Sequence, residues 1–249
     1  MSTVETFKYK NCYQAAEAGD LEELKKMHKA GFSLDYQNRI LSTTEAAKNG
    51  RLDCLRYAHE NGCKWDEYTT LCAAKNGHYD CLRYAFENGC KLKGSITMFI
   101  AQKGNLEYLK WAHENGCEWS EFTTWDAAAN GHLDCLRYAH ENGCEWDQHT
   151  TESAAYHGNL DCLRYAHENG CKWDFMTIYN AFQCRKLDCF RYAFENGCPL
   201  DRKDIYLKDI KKLINKVKKQ VQTTRKTLIN SLRNNLNDNV INHIITKYI

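Results

Sequence analysis

Fourteen cysteines and ten histidines are the side chains in this sequence best equipped for chemistry. Thiolates and imidazoles bind zinc, and a histidine beside a carboxylate can move a proton. Cys54, Cys63, Cys72, Cys81 and Cys90 fall nine residues apart, and His59, His113, His140 and His167 share their stretch of chain or follow it. Structural zinc sites instead use close pairs with roughly two to four residues between ligands. No Cys-x-x-Cys occurs, and Tyr108 fills the slot that Cys54 holds elsewhere. A small, apolar, reduced cysteine at a packing interface accounts for the pattern, so no metal site is expected. His59 and its equivalents each precede a glutamate, but Phe86 and Phe194 stand in the same slot. Phenylalanine can replace a packing group and cannot replace a proton carrier. No nucleophile elbow, phosphate-binding glycine loop or paired-carboxylate site appears. The expectation is a protein that is not an enzyme and needs no cofactor.

These residues are spaced by an internal repeat. The segment LDCLRYAHENGCKWD beginning at Leu52 returns five times with small changes, and its glycine recurs at Gly62, Gly89, Gly116, Gly143, Gly170 and Gly197, every 27 residues. A divergent first copy has its glycine at Gly31, a gap of 31. Seven units therefore run from about residue 12 to 201: a divergent capping repeat in 1–35, then six repeats in 36–201. Each reads as two short helices. In the second, Leu52, Leu55, Tyr57 and Ala58 make one apolar stripe among Asp53, Arg56 and Glu60. Asp53 suits the positive end of a helix dipole, and Asn61-Gly62 closes the helix. The first helix carries the small pairs Ala46-Ala47, Ala73-Ala74, Ala127-Ala128 and Ala154-Ala155 and ends at Gly50, Gly77, Gly104, Gly131 and Gly158. Neither helix can bury its apolar face alone, so the prediction is an all-α solenoid of stacked helix–turn–helix repeats with a helical C-terminal extension.

The stretch AAKNGHYDCLRYAFENGC resembles the heart of an ankyrin repeat: a small-residue first helix, a Gly-His turn, a second helix and a closing Asn-Gly. The likeness covers Cys12 to Asp201. The unit is shorter than the usual length of about 33, and Thr pairs (Thr69-Thr70, Thr123-Thr124, Thr150-Thr151) replace the Thr-Pro-Leu-His start. The missing residues fall where ankyrin proteins project a β-hairpin, so such fingers should be short or absent. The short HENGC-x-W-D unit is similar to ankyrin-like families of giant viruses of amoebae and some protists, though only Pro199 keeps the proline usual there. The resemblance implies a partner-binding scaffold, with a host protein bound in the host cytoplasm if the source is viral.

Comparison of the units separates framework from surface. The second helix hardly changes, while the first varies at three aligned positions. These are Leu41, Tyr68, Ser95, Phe122, His149 and Met176; then Thr44, Leu71, Met98, Trp125, Glu152 and Tyr179; then Lys48, Lys75, Gln102, Ala129, Tyr156 and Gln183. In ankyrin-like stacks the first helices line the concave face, so the sets would form parallel ladders of hot-spot composition. The candidate partner-binding residues are Tyr68, Leu71, Lys75, Met98, Phe122, Trp125, His149, Glu152, Tyr156, Met176 and Tyr179. The competing reading is that some of them pack against the next repeat.

Residues 202–249 change character. Between Arg202 and Arg233 there are eleven Lys/Arg against Asp204 and Asp209, a surplus of nine positive charges, which leaves the rest of a +2 chain near −7. Leu207, Ile210, Ile214, Val217, Val221 and Leu228 recur at helical spacing. Three readings compete. The extension caps the last repeat; or its lysines contact nucleic acid or another acidic partner; or its end docks a ligase. For the third, Leu236, Val240, Ile244, Ile245 and Tyr248 resemble in spacing the truncated F-box of poxvirus ankyrin proteins, which implies docking on Skp1 and a cullin ubiquitin ligase, although Asn237 and Asn239 replace the expected Pro and Glu. No apolar run reaches membrane-spanning length and the N-terminus lacks a signal-peptide core, so a cytoplasmic monomer is expected.

Overall fold

In the computed structural model, residues 6–36, 40–66, 68–92 and 95–200 are described, with eight helical positions between 212 and 230. The first four stretches form seven helix pairs: α1 (Cys12–Ala18) and α2 (Leu21–Lys29), α3 (Ser42–Lys48) and α4 (Leu52–Glu60), α5 (Thr69–Asn76) and α6 (Tyr79–Glu87), α7 (Ile96–Gln102) and α8 (Leu106–Glu114), α9 (Thr123–Ala129) and α10 (Leu133–Glu141), α11 (Gln148–His157) and α12 (Leu160–Glu168), α13 (Phe175–Gln183) and α14 (Leu187–Glu195). A two-stranded antiparallel hairpin, β1 (Asp35–Tyr36) with β2 (Ile40–Leu41), sits between the first two pairs, pairing Asp35 with Leu41. It falls in the 31-residue unit, the one with four residues to spare, and it spans the junction predicted at residue 35. The rest is an α-solenoid.

The histidine, asparagine, glycine and cysteine of the repeated His-Glu-Asn-Gly-Cys each have a structural task. At the end of α4, Gly62 takes φ 89°. Its N–H donates to His59 O at 3.0 Å, and the Cys63 N–H donates to Ala58 O at 3.0 Å, the paired bonds of a Schellman ending. Asn61 Nδ2 satisfies a further helix-end carbonyl, Tyr57 O, at 2.8 Å. Cys63 turns back into the core beside Ala58 and Leu55, all three buried. Further along, Cys171 and Cys198 point their thiols at the carbonyls of Asp147 and Asp174 in the preceding unit, each at 3.1 Å.

The histidines are layers between units. His140 stacks on Trp146 of its own unit with centroids 3.7 Å apart and hydrogen-bonds through Nδ1 to the Tyr165 hydroxyl of the next unit at 3.0 Å. His167 does the same with Trp173 and Tyr192. The Trp65 and Trp119 indole N–H groups donate to Asn88 O and Asn142 O one unit on, and Arg56, Arg137 and Arg164 lie over Tyr84, Tyr165 and Tyr192. Phe86 meets Trp111 edge-on at 5.4 Å, filling the histidine slot by packing. Opposite this aromatic seam, the alanine-lined first helices pack closely on one another from α1 to α13, while the second helices approach less closely. The first helices are therefore the more tightly packed of the two rows.

Units also complete one another's helix ends. Asn159, preceding α12, reaches back to donate to Ala128 O and Ala129 O at the end of α9, at 2.8 and 2.9 Å. His132 approaches Gln102 O at 3.2 Å in the same way. A Cβ on Gly131 or Gly104 would come within 2.9 Å of Asn159 or 2.4 Å of His132, so glycine is needed there for clearance as well as for its positive φ.

Two expectations follow. Arg185 stands where earlier units have glycine and adopts φ 55°, at a cost of about 1–2 kcal/mol for a residue with a Cβ. Arg185→Gly should raise the thermal midpoint by a few degrees in differential scanning calorimetry; an unchanged or lower midpoint contradicts the strain. Twelve cysteines are buried, and burial pushes thiols up to about 12 at Cys81, Cys162 and Cys171 and about 11 at Cys54 and Cys135. A thiol reagent at pH 8 should label only the part-buried Cys72 and Cys184 quickly, and all fourteen after denaturation.

Candidate functional site

The roll of α5, α9 and α11 is set by their buried threonine pairs. In α9, Thr123 and Thr124 are buried with Ala127 and Ala128. The two hydroxyls bond across units, Thr123 to Thr97 at 2.9 Å and Thr124 to Thr150 at 3.3 Å. Thr151 repeats the link to Thr177 at 3.2 Å and donates to Lys172 O at 3.1 Å. With the Thr-Thr and Ala-Ala pairs turned inward, the positions just before the pair and three residues later fall on the opposite, open side of the helix.

That is where the exposed apolar surface lies. Among the described residues the exposed large hydrophobics are Tyr68 (55%), Phe122 (38%), Trp125 (41%), Tyr156 (51%), Met176 (39%) and Leu187 (47%). Five of the six are ladder positions; Leu187 opens α14 on the second-helix side. Leu71, Met98, Glu152 and Tyr179 are only part-exposed, because adjacent first helices approach closely enough to cover most of each side chain.

The ladder residues do not form one cluster. Phe122, Trp125, His149 and Glu152 come together: the Phe122 and Trp125 rings are 5.5 Å apart, Trp125 and His149 6.4 Å, and His149 Nδ1 lies 3.1 Å from Glu152 Oε2. Tyr68, Leu71 and Lys75 belong to α5 and the residue before it, two units away, where the Lys75 ammonium lies over the Phe99 ring at 5.9 Å. Tyr156 packs on His157, and Tyr179 on Phe175 at 5.3 Å. Phe175 and Asp126 were not among the expected residues. Gln102 Nε2 donates to Asp126 Oδ1 at 3.1 Å across α7 and α9. The aligned slots hold Glu45, Cys72, Phe99, Ser153 and Asn180, a mixture that gives no hint of a shared role.

The field around the cluster is acidic. Burial raises the Glu152 carboxyl, the His149 hydrogen bond pulls it down, and the charges of Asp174 and Asp147 push it up again. His149 is raised by its bond to Glu152. Asp126 is raised by burial against its bond from Gln102. Asp147 and Asp174 each cap a first helix, accepting from His149 N at 3.0 Å and Met176 N at 2.8 Å. Among the described residues no three or more His, Cys, Asp and Glu side chains group closely enough to hold a metal ion, and no helix is long and apolar enough to cross a membrane. The expected ligase-docking residues Leu236, Val240, Ile244, Ile245 and Tyr248 lie outside the described residues.

No protein-family model and no curated protein matches the chain. The crystal structure of the human ASB11 ankyrin repeat domain is similar to it at 18% sequence identity, over 79% of this chain and 88% of that one, with a TM-score of 0.42. A likeness of that size carries no argument about function, which rests on the geometry above.

Proposed function

We propose that the chain is a non-enzymatic scaffold that binds a protein partner through the concave face of its first helices. The observation that carries this reading is that, among the described residues, the exposed aromatics Tyr68, Phe122, Trp125 and Tyr156 all lie on the ladder, as does the exposed Met176, while aromatics of the opposite face such as Trp146 and Trp173 are locked into inter-unit layers. Exposed aromatics that no packing requires are the usual anchors of interfaces. The finer version makes the chain an adaptor in the host cytoplasm, with cargo on the repeats and Skp1 and a cullin on residues 236–249; its support is the spacing of Leu236, Val240, Ile244, Ile245 and Tyr248.

The second reading, contact with nucleic acid through the extension, has one observation in its favour. Lys212, Lys219 and Lys226 are helical and exposed, at seven-residue spacing in the sequence. Such a surface gives affinity that falls steeply with salt.

Affinity capture from host cytosol with the full chain, its Trp125→Ala variant and a truncation after Asp201 separates these readings. Prey that depends on the concave face should fall about tenfold or more with Trp125→Ala, as expected for a hot-spot tryptophan, while circular dichroism stays unchanged. Prey insensitive to that substitution removes the concave-face reading. Skp1 and a cullin recovered with the full chain and lost on truncation support the adaptor version; their absence from both removes it. A duplex DNA or RNA probe that does not bind at low salt removes the nucleic-acid reading.

A further inference from the structure

Glu152 is out of character with its ladder. The aligned residues in the other units are Thr44, Leu71, Met98, Trp125 and Tyr179, all uncharged. In this line of first-helix positions the one carboxylate stands between Trp125 on α9 and Tyr179 on α13. Its side chain is only 16% exposed, and taking a carboxylate out of water is unfavourable unless it is paired. The partner it has is His149 on its own helix, three residues back, with a side chain 59% exposed, and that bond uses Oε2 alone. A carboxylate serving the fold would be tied across the stack, as Asp126 is to Gln102. Glu152 instead bonds within its own helix to the solvent-facing His149.

The surroundings favour a cation. Asp147 and Asp174 flank Glu152 and act on it electrostatically in the same sense. The neighbouring Trp125 ring is 41% exposed and held in place by Phe122. In the outer seam this chain repeatedly sets an arginine over an aromatic ring, Arg56 on Tyr84 and Arg137 on Tyr165. Among the described residues no lysine or arginine lies over Trp125. An exposed indole face beside a half-buried carboxylate offers cation–π attraction and a charge-assisted hydrogen bond to one ligand group.

We propose that the patch formed by Phe122, Trp125, His149 and Glu152 receives a lysine or arginine side chain from a partner segment, with an apolar residue beside it seated on Phe122. The aliphatic stem lies along the indole, the charged head reaches the second oxygen of Glu152, and His149 turns outward. The inference rests on the concave-face reading and specifies the partner's chemistry there.

The test is selection of a random twelve-residue phage-displayed peptide library on the full chain, then titration of the best peptide, fluorescently labelled, against wild type, Glu152→Gln and Trp125→Ala. Glu152→Gln keeps shape and removes only charge, and circular dichroism verifies the fold of both variants. The expected result is enrichment of a basic residue next to an apolar one. Binding should fall about tenfold in each variant, and replacing the peptide's basic residue by norleucine should cost wild type much and Glu152→Gln little, the signature of a direct pair. Peptides without a basic position, or equal binding to Glu152→Gln together with loss in Trp125→Ala, overturn the cation site and leave the concave-face reading standing. No selected peptide, or peptides that bind Trp125→Ala as well as wild type, overturn both.

Discussion

The helices through residue 200 are seven to ten residues long, below the length at which an isolated helix holds in water. Each therefore exists because of its neighbours, and contact between units is the constraint from which everything else follows. Cys63, Ala58 and Leu55 are buried only because another pair lies against them. The aromatic layers of His140, Trp146 and Tyr165 bridge two units and so serve neither alone. Stability in such an array is a sum of weak units and the interfaces between them, and the repetition of one sequence token after another is the record of that interface being made six times over.

The same constraint divides the two faces. Side chains between second helices are large, flat and mutually stacked, which uses up their binding capacity. Between first helices they are Ala and Thr, small enough for close approach and satisfied by hydroxyl bonds such as Thr123 to Thr97. Ile96, Ile100 and Ile178 also pack inward there, while Tyr68, Phe122, Trp125 and Tyr156 point out. Variation in the ladder is tolerated because changing Phe122 or Trp125 leaves the stack intact, and variation of this kind is what a recognition surface requires.

Much of this was legible in the sequence, because the period carries it. The second helix, its glycine ending and the packing role of histidine followed from aligning the chain with itself, and Phe86 in a histidine slot was informative on its own. The gap of 31 residues between Gly31 and Gly62 was visible, but pairing of Asp35 with Leu41 depends on backbone geometry that spacing does not contain. The ladder's place on the first helices came from comparing the units and its facing from the ankyrin resemblance; the depth of each side chain was in neither, and Leu71, Met98 and Tyr179 sink partly from view because interhelix distance decides coverage. Asp126 went unrecognised since its aligned slots share no chemistry. Arg185 was readable as a missing glycine, yet only the structure gives the left-handed backbone it adopts there.

The residue after the first glycine varies freely among Arg51, His78, Asn105, His132, Asn159 and Lys186 and looks like loop filler. Several of these side chains reach backwards to close the carbonyls of the unit before, as Asn159 does for Ala128 and Ala129. These loop bonds all reach backward along the chain. During synthesis the N-terminal part leaves the ribosome first, and a unit such as that of α9 and α10 gains its final closure only when the following one has been translated. A nascent chain carries at its growing end one helix pair still waiting for its successor, so release from the ribosome and completion of the fold proceed in the same order.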